Sequence, residues 1–258
     1  MSTSTNLVAL YTITRREIMR IVRIWTQTLI PPMVTMTLYF VIFGKLIGSR
    51  IGTIEGGFTY MQYIVPGLVM MSIINNSYAN ISSSFFGAKF SRAVEEMLVS
   101  PMPNWVILTG YVSGAVARGL VVGLLVLLIA LFFTSLQVVH PLITFLSVLL
   151  GATIFALAGF VNAVYAKKFD DIALVPTFIL TPLTYLGGVF YSVNMLAEPW
   201  QAISRINPIL YMVNAFRFGV LGISDVGIGT AFAVMLAFVV GLSLVALHLL
   251  KRGIGLRS

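Results

Sequence analysis

The residues best suited to recognition form a short polar segment, Gly87 to Trp105, between two strongly apolar stretches. Arg92, Glu95 and Glu96 recur there at helical spacing, and apolar side chains fall on the opposite side. Two prolines at the end of the segment stop the helix. The pattern predicts a short amphipathic helix held at a membrane surface between two spanning helices. The alternative is a solvated loop that merely joins the two spans.

A second set of polar residues lies inside the apolar stretches. Asn75, Asn76 and Asn80 lie at least two turns into one span, and buried amides need hydrogen-bond partners. They bond a neighbouring helix, which is the commoner arrangement, or line a polar path. Arg118 lies about 18 Å into the next span, where a charge costs about 2.5 to 3.5 kcal/mol. We therefore expect Arg118 to face protein or a wet cavity.

Several kinds of chemistry have no residues to support them. The sequence has no G-x-x-x-x-G-K-[ST] motif that could cradle nucleotide phosphates, and it has no cysteine. Its two histidines, His140 and His248, lie at unrelated positions, which argues against a metal site or histidine-based catalysis. No carboxylate lies well inside a span, although ion-coupled carriers usually need one. A translocating chain of this kind is expected to take its energy from a partner.

Composition predicts the class of protein. The chain of 258 residues is 59% hydrophobic and 9% charged, whereas soluble domains are about a quarter charged. Several runs of about 20 apolar residues can each cross roughly 30 Å of hydrocarbon. We therefore predict an all-α polytopic membrane protein in which residues 1–258 form a single transmembrane domain.

Six transmembrane helices are predicted from the apolar runs. They cover residues 25–43, 60–86, 106–133, 142–165, 172–190 and 230–250. Span three carries four glycines that permit close helix packing. These glycines are Gly110, Gly114, Gly119 and Gly123.

The segments between the spans have predicted roles of their own. Residues 6–24 are predicted to form an amphipathic N-terminal helix whose basic face is expected in the headgroup layer of an anionic leaflet. The alternative is a plain basic flank that only enforces the orientation of the chain. Residues 44–58 form a short outer loop. Residues 191–229 form a long outer segment whose 14-residue apolar piece is too short to cross, which favours a re-entrant or interfacial helix.

Prolines and glycines are predicted to disturb two spans. The pair Pro31 and Pro32 predicts a kink or a broken start in span one, because neither residue donates a backbone hydrogen bond. Pro176, Pro182 and the pair Gly187–Gly188 predict breaks in span five.

The placement of basic residues predicts the orientation. With the N-terminus inside, eleven lysines and arginines fall in inner segments and four in outer segments, with Arg118 as the sixteenth. The inner residues are Arg15, Arg16, Arg20, Arg23, Lys89, Arg92, Lys167, Lys168, Lys251, Arg252 and Arg257. The outer residues are Lys45, Arg50, Arg205 and Arg217. Both termini are therefore predicted inside, and the excess positive charge needs no nucleic-acid partner.

Five stretches carry a resemblance to a known family. Two have short motifs: an acidic residue followed by Leu-Leu-x-Ser/Ala-Pro, and Asn-Pro-x-x-Tyr…Arg. The first corresponds to Glu96, Met97, Leu98, Val99, Ser100 and Pro101, and the second to Asn207, Pro208, Tyr211 and Arg217. The other stretches are Arg23 to Gly52, Tyr60 to Ile74 and Phe169 to Ser192. In this order, the five make the whole chain similar to the membrane subunits of type-2 ATP-binding-cassette exporters.

The resemblance implies a half-transporter in the bacterial inner membrane. Two permeases would join two cytoplasmic ATPases, with ATP and Mg on the ATPase and no cofactor in this chain. A coupling helix in residues 87–105 would dock into the ATPase, and re-entrant helices would lie between spans five and six. The cargo would be an amphipathic or glycolipid-like molecule moved outward, and membrane lipids would surround the chain.

The resemblance also implies roles for particular residues. The docking residues would be Ser91, Arg92, Glu95, Glu96, Met97 and Leu98, joined by Lys167, Asp170 and Asp171 from the second inner segment. Candidates for the pathway or for helix packing are Asn75, Asn76, Asn80, Arg118 and Tyr185.

Other functions are compatible with the same residues. A stand-alone secondary carrier or channel is the main alternative, and a membrane scaffold without transport is another. An intramembrane enzyme is remote, because no nucleophile, base and orienting group cluster on facing helices.

Overall fold

The chain is built from helices. The computed structural model describes residues 3–54 and 57–256, and in this part of the chain the extended pairing is confined to an isolated bridge between Thr53 and Thr59. The predicted all-α class is therefore confirmed for the described residues. Arg257, predicted on the inner side, lies outside them, as does the side chain of Lys45.

The helices follow the chain in two halves. The first half contains α1 (Thr3–Arg23), α2 (Trp25–Tyr39), α3 (Gly48–Ile51), α4 (Tyr60–Phe90), α5 (Ala93–Val99) and α6 (Asn104–Ala130). The second half contains α7 (Pro141–Tyr165), α8 (Phe169–Val175), α9 (Thr181–Leu186), α10 (Glu198–Ile206), α11 (Pro208–Leu221) and α12 (Ile228–Arg252). Two π-helical segments, Phe40–Ile47 and Pro176–Leu180, join α2 to α3 and α8 to α9.

Five helical stretches among the described residues are long and apolar enough to cross a membrane. They are Trp25–Gly44, Asn104–Ala130, Pro141–Tyr165, Phe169–Leu186 and Ile228–Arg252. The predicted second span corresponds to α4, which has 31 residues and a length of about 46 Å. The asparagines and serines of α4 lower its mean hydropathy, so α4 is not among the five stretches above. The sixth span therefore stays a prediction.

The proline pair does not break the first span. Helix α2 continues from Trp25 through Pro31 and Pro32 to Tyr39, so the helix is not broken at these prolines, and the alternative of a kink stays a prediction. The fixed φ of proline is compatible with a helix, and a pair of prolines withdraws only two backbone donors. The helix then continues through the π segment and α3 to Ile51, so most of the predicted loop 44–58 is helical.

The fifth span also stays helical at its two prolines. The π segment Pro176–Leu180 carries the helix to α9, and the hydroxyl of Thr181 donates to the carbonyl of Pro176 at 2.9 Å. The helix stops at Leu186, four residues before the predicted end, because Gly187 and Gly188 turn the chain. Gly188 adopts a φ of 70°, which favours glycine.

Helix α4 lies at the centre of the bundle, packed mainly on α6 and α7. The glycines of α6 make two close contacts possible, as predicted: one pair lies against α1 and the other against α4. A methyl group at these positions would overlap Ile13 at Gly110, Glu17 at Gly114, Ser77 at Gly119 and Ile73 at Gly123. Helix α1 is therefore seated on α6.

Candidate functional site

A sharp turn separates α5 from α4. Arg92 adopts a left-handed conformation with φ of 60°, and within the described residues it is the sole non-glycine residue with positive φ. Such a conformation costs about 1–2 kcal/mol for a residue with a side chain. The turn directs α5 away from the axis of α4, and it leaves Ser91 and Arg92 exposed.

Helix α5 is amphipathic, as the sequence predicted. Val94 is buried, and Met97 and Leu98 are half-buried against the apolar core of the bundle. Glu96 is exposed, and Val99 is 87% exposed. Met97 and Leu98 therefore anchor α5 to its own bundle, and Val99 is the apolar side chain of α5 that is open to a partner.

The two predicted inner segments meet beside α5. The Lys89 ammonium donates to the carbonyl oxygens of Val164 and Ala166 at 2.6 and 2.7 Å, at the C-terminal end of α7. Burial lowers the pKa of Lys89, and the charge of Asp171 opposes that shift. Nearby, the ring of Phe169 packs on Phe86 and Phe90 with centroids 4.8 and 5.3 Å apart. We call residues 89–100 and 166–171 together the α5 surface.

The predicted docking residues of the second segment divide into two groups. Lys167 and Asp170 are exposed. The carboxylate of Asp171 instead accepts the backbone N–H groups of Lys167 and Lys168 at 2.8 and 3.0 Å and caps the start of α8. These two backbone hydrogen bonds hold the pKa of Asp171 below its usual range. Asp171 therefore shapes the α5 surface from within.

Two asparagines inside the bundle bond arginines of neighbouring helices. Arg118 on α6 donates to the side-chain oxygen of Asn76 at 3.0 Å, and Arg20 on α1 donates to that of Asn80 at 2.8 Å. Both asparagines thus join their helix to a neighbouring one, and Arg118 contacts protein. Asn75 is half-buried next to them. Tyr185 lies on α9 and stacks on Phe190, with centroids 5.9 Å apart.

Glu17 is a buried carboxylate that the sequence reasoning overlooked. It is 1% exposed and accepts the hydroxyl of Ser84 at 2.5 Å, with arginine nitrogens of Arg16 and Arg20 at 3.3 and 3.5 Å. The signal was present in the sequence as a single acid among four arginines, three residues before Arg20.

The basic face of α1 is turned partly into the protein. Besides the bonds of Arg20, the guanidinium of Arg16 donates to the hydroxyl of Tyr111 at 2.5 Å. Ile18 and Val22 on the other face are exposed, as is Trp25 at the start of α2. Glu17 therefore holds Arg16 and Arg20 against the bundle, and the location of the basic face in the headgroup layer stays a prediction.

The Asn-Pro-x-x-Tyr…Arg motif organises the outer segment. Asn207 caps α11 by accepting the N–H of Ile209 at 3.0 Å, and Pro208 occupies the first turn. The hydroxyl of Tyr211 donates to the carbonyl of Arg205 at 2.7 Å. These contacts join α10 and α11 end to end.

Arg217 closes the same motif from the far end of α11. It is 1% exposed, donates to the carbonyl of Gly188 at 2.6 Å and lies 4.0 Å over the ring of Tyr63. The residue ties α11 to α4 and to the turn that ends the fifth span.

Comparison with known proteins agrees with this arrangement. The family model of the ABC-2 type transporter matches residues 8–221. The inner membrane transport permease YadH of Escherichia coli K12 is 59% identical over 251 residues, which cover 97% of this chain and 98% of that protein. Nodulation protein J of Sinorhizobium fredii is 24% identical over 80% of this chain and 79% of its own length. The chain is a multi-pass membrane protein that belongs to the ABC-2 type transporter family.

Proposed function

We propose that this chain is the permease subunit of an ATP-binding-cassette exporter in the bacterial inner membrane. The observation that carries the proposal is the α5 surface. It presents Glu96 and Val99 outward, while Val94 and Lys89 hold the segment to the bundle. A helix fixed in this way can transmit a movement of the bound partner to α4, on which α5 packs, and through Lys89 of α4 to the end of α7.

The partner is a separate cytoplasmic ATPase. The sequence has no P-loop, so ATP and its Mg²⁺ bind to the partner and this chain hydrolyses nothing. We place the docking at six of the residues that are exposed on the α5 surface. They are Ser91, Arg92, Glu96, Val99, Lys167 and Asp170.

The proposed topology completes the half-transporter. Helix α4 is the sixth spanning helix, both termini face the cytoplasm, and α10 with α11 re-enters the outer leaflet without crossing. Two copies of the chain assemble with two ATPases. The continuous helix of α4 and the excess of basic residues on the proposed inner side support this arrangement.

The cargo is an amphipathic, lipid-like or drug-like molecule moved outward. Among the described residues, the buried carboxylate is Glu17 on α1, and it is already engaged by arginines. The apolar stretches that can span the membrane contain no carboxylate in their interiors, which suits an apolar cargo better than a coupled ion.

Co-purification tests the proposal. The tagged chain, co-expressed with the ATPases of its host, should recover a soluble protein with a P-loop, and Glu96→Arg should abolish that recovery by reversing a charge on α5. Glu198→Arg, on the exposed start of α10, is the matched control and should leave it intact.

Two results would contradict the proposal. One is recovery that Glu96→Arg leaves unchanged. The other is transport by the purified chain alone in liposomes, which would establish a stand-alone carrier or channel.

A further inference from the structure

A basic cavity of about 640 Å³ lies between α1 and the last turns of α4. It exists because α1 is seated on α6 at Gly110 and Gly114, which leaves a gap on its α4 side. The wall is open at Gly87, where an added Cβ would have no neighbour within 4 Å. The charged lining residues are Arg15, Arg16, Glu17, Arg20 and Arg23.

The charges of this cavity are unbalanced. Four arginines face one glutamate, so the lining has an excess of three positive charges. Glu17 is already engaged by Arg16 and Arg20, which are also bonded to Tyr111 and Asn80. These contacts fix the two arginines in place.

Arg15 and Arg23 differ from the other two arginines. Their side chains form no hydrogen bond or ion pair with the described part of the chain, whereas those of Arg16 and Arg20 do. The cavity therefore combines two arginines held in position with two whose guanidinium groups are available. Guanidinium groups bind phosphate oxygens through paired N–H donors, so this arrangement suits a phosphate.

The surroundings indicate where the phosphate comes from. Ile18 and Val22 are exposed on the far face of α1, and the exposed Trp25 follows at the start of α2, three residues after Val22. A helix that buries these side chains in the acyl region holds its arginines at the level of lipid headgroups. A lipid could thus place its phosphate in the cavity and its chains along α1.

We propose that this cavity binds the phosphate group of an anionic phospholipid. The bound lipid would fill the gap between α1 and α4 and neutralise the excess charge. The site does not depend on the docking of an ATPase, so it is tested on the chain alone.

Tryptophan quenching provides the test. Trp105→Phe with Trp200→Phe leaves Trp25 as the reporter, one turn beyond Val22. The full chain is reconstituted in phosphatidylcholine vesicles that contain a minor fraction of brominated phosphatidylglycerol or brominated phosphatidylcholine. Brominated phosphatidylglycerol should quench Trp25 at a lower mole fraction. Arg15→Ala with Arg23→Ala should reduce the relative affinity for phosphatidylglycerol about 30-fold.

Two further variants distinguish lipid binding in the cavity from a general attraction of anionic lipid by surface charge. Lys251→Ala with Arg252→Ala removes an exposed basic pair at the end of α12 and should retain the preference for phosphatidylglycerol. Gly87→Leu keeps every charge but projects a side chain into the open wall, and it should reduce the preference. Retention of the preference in the Arg15/Arg23 variant, or its equal loss in the Lys251/Arg252 variant, would overturn the proposal.

Inorganic phosphate distinguishes the two sources of the ligand. If the lipid headgroup is the ligand, phosphate in the buffer leaves the quenching by brominated phosphatidylglycerol unchanged. Relief of quenching by phosphate that the Arg15/Arg23 variant does not show would assign the cavity to soluble phosphate.

Discussion

At the scale of single residues, Glu17 has the greatest influence on how α1 is held. Its carboxylate lies between Arg16, Arg20 and Ser84, and its side chain fills the space left by Gly114. A buried carboxylate is stable there because opposite charges and a hydroxyl replace its lost water. The basic face of α1 is thereby joined to the bundle.

Replacing Glu17 with Gln should destabilise the chain by about 1–3 kcal/mol, because the partners of a buried group lose their counter-charge. The measurement is thermal and denaturant unfolding of the purified chain in detergent. Glu198→Gln, on the exposed start of α10, serves as the control and should unfold like the parent. Unfolding of Glu17→Gln at the parent midpoint would show that Glu17 carries no net stabilisation.

Asp171 gives a prediction about pH. Two backbone N–H groups lower its pKa below the ordinary 3.8. A carboxyl group whose pKa is lower in the folded chain stabilises the fold above its unfolded value and stops doing so as the pH falls through the folded value. The α8 cap should therefore persist at pH 3.8 and disappear only in stronger acid.

Amide-proton chemical shifts of Lys167 and Lys168 measure this transition. Their common midpoint should lie below 3.8 in the parent and should be absent in Asp171→Asn, whereas Asp170→Asn should retain it. A midpoint above 3.8 would contradict the capping role.

At the scale of elements, α6 determines how closely its neighbours approach. Its glycines accept α1 on one side and α4 on the other, so a single helix positions both the N-terminal helix and the central one. The basic cavity between α1 and α4 is a consequence of this seating. A substitution in α6 should therefore alter the cavity even though no residue that lines the cavity is replaced.

Gly114→Leu should destabilise the chain by about 1–3 kcal/mol or more, because the added side chain overlaps Glu17. It should also weaken the preference of the chain for phosphatidylglycerol. Gly241→Leu on α12 is the matched control, since an added Cβ there has open space. Equal unfolding midpoints for the two variants would show that α1 does not depend on this contact.

At the scale of the whole molecule, the two ends of the bundle have different characters. One end carries the α5 surface, Lys251 and Arg252, while the other carries α10 and the turn at Gly188. Lys89 joins the α4–α5 turn to the end of α7, so the segments of the first end form one surface. This asymmetry suits a permease that is driven from one side.

Accessibility labelling measures the orientation directly, because the chain has no cysteine to give a background. In intact cells, a membrane-impermeant maleimide should modify Asn194→Cys but should modify Ser91→Cys only after permeabilisation. Both positions are exposed. The reverse pattern would place the α5 surface outside and exclude docking to a cytoplasmic ATPase.

The sequence by itself determined the class, the approximate helix limits and the amphipathic character of α5. These follow from local composition and helical spacing, which need no knowledge of the partners of a helix. The prolines are the exception. Pro31 and Pro32 were expected to kink or break a helix, and Pro176 and Pro182 were expected to break another, yet the chain stays helical at all four positions, with a π segment from Pro176 to Leu180.

Only the tertiary structure decided which polar groups meet. The bonds of Asn76 to Arg118, of Lys89 to the end of α7 and of Glu17 to Ser84 join residues 42, 75 and 67 positions apart. Such contacts depend on the angles and distances at which helices cross, and those are set by the small residues of α6 together with the whole core. The position of the basic cavity depends on the same crossings, and no single stretch of sequence contains it.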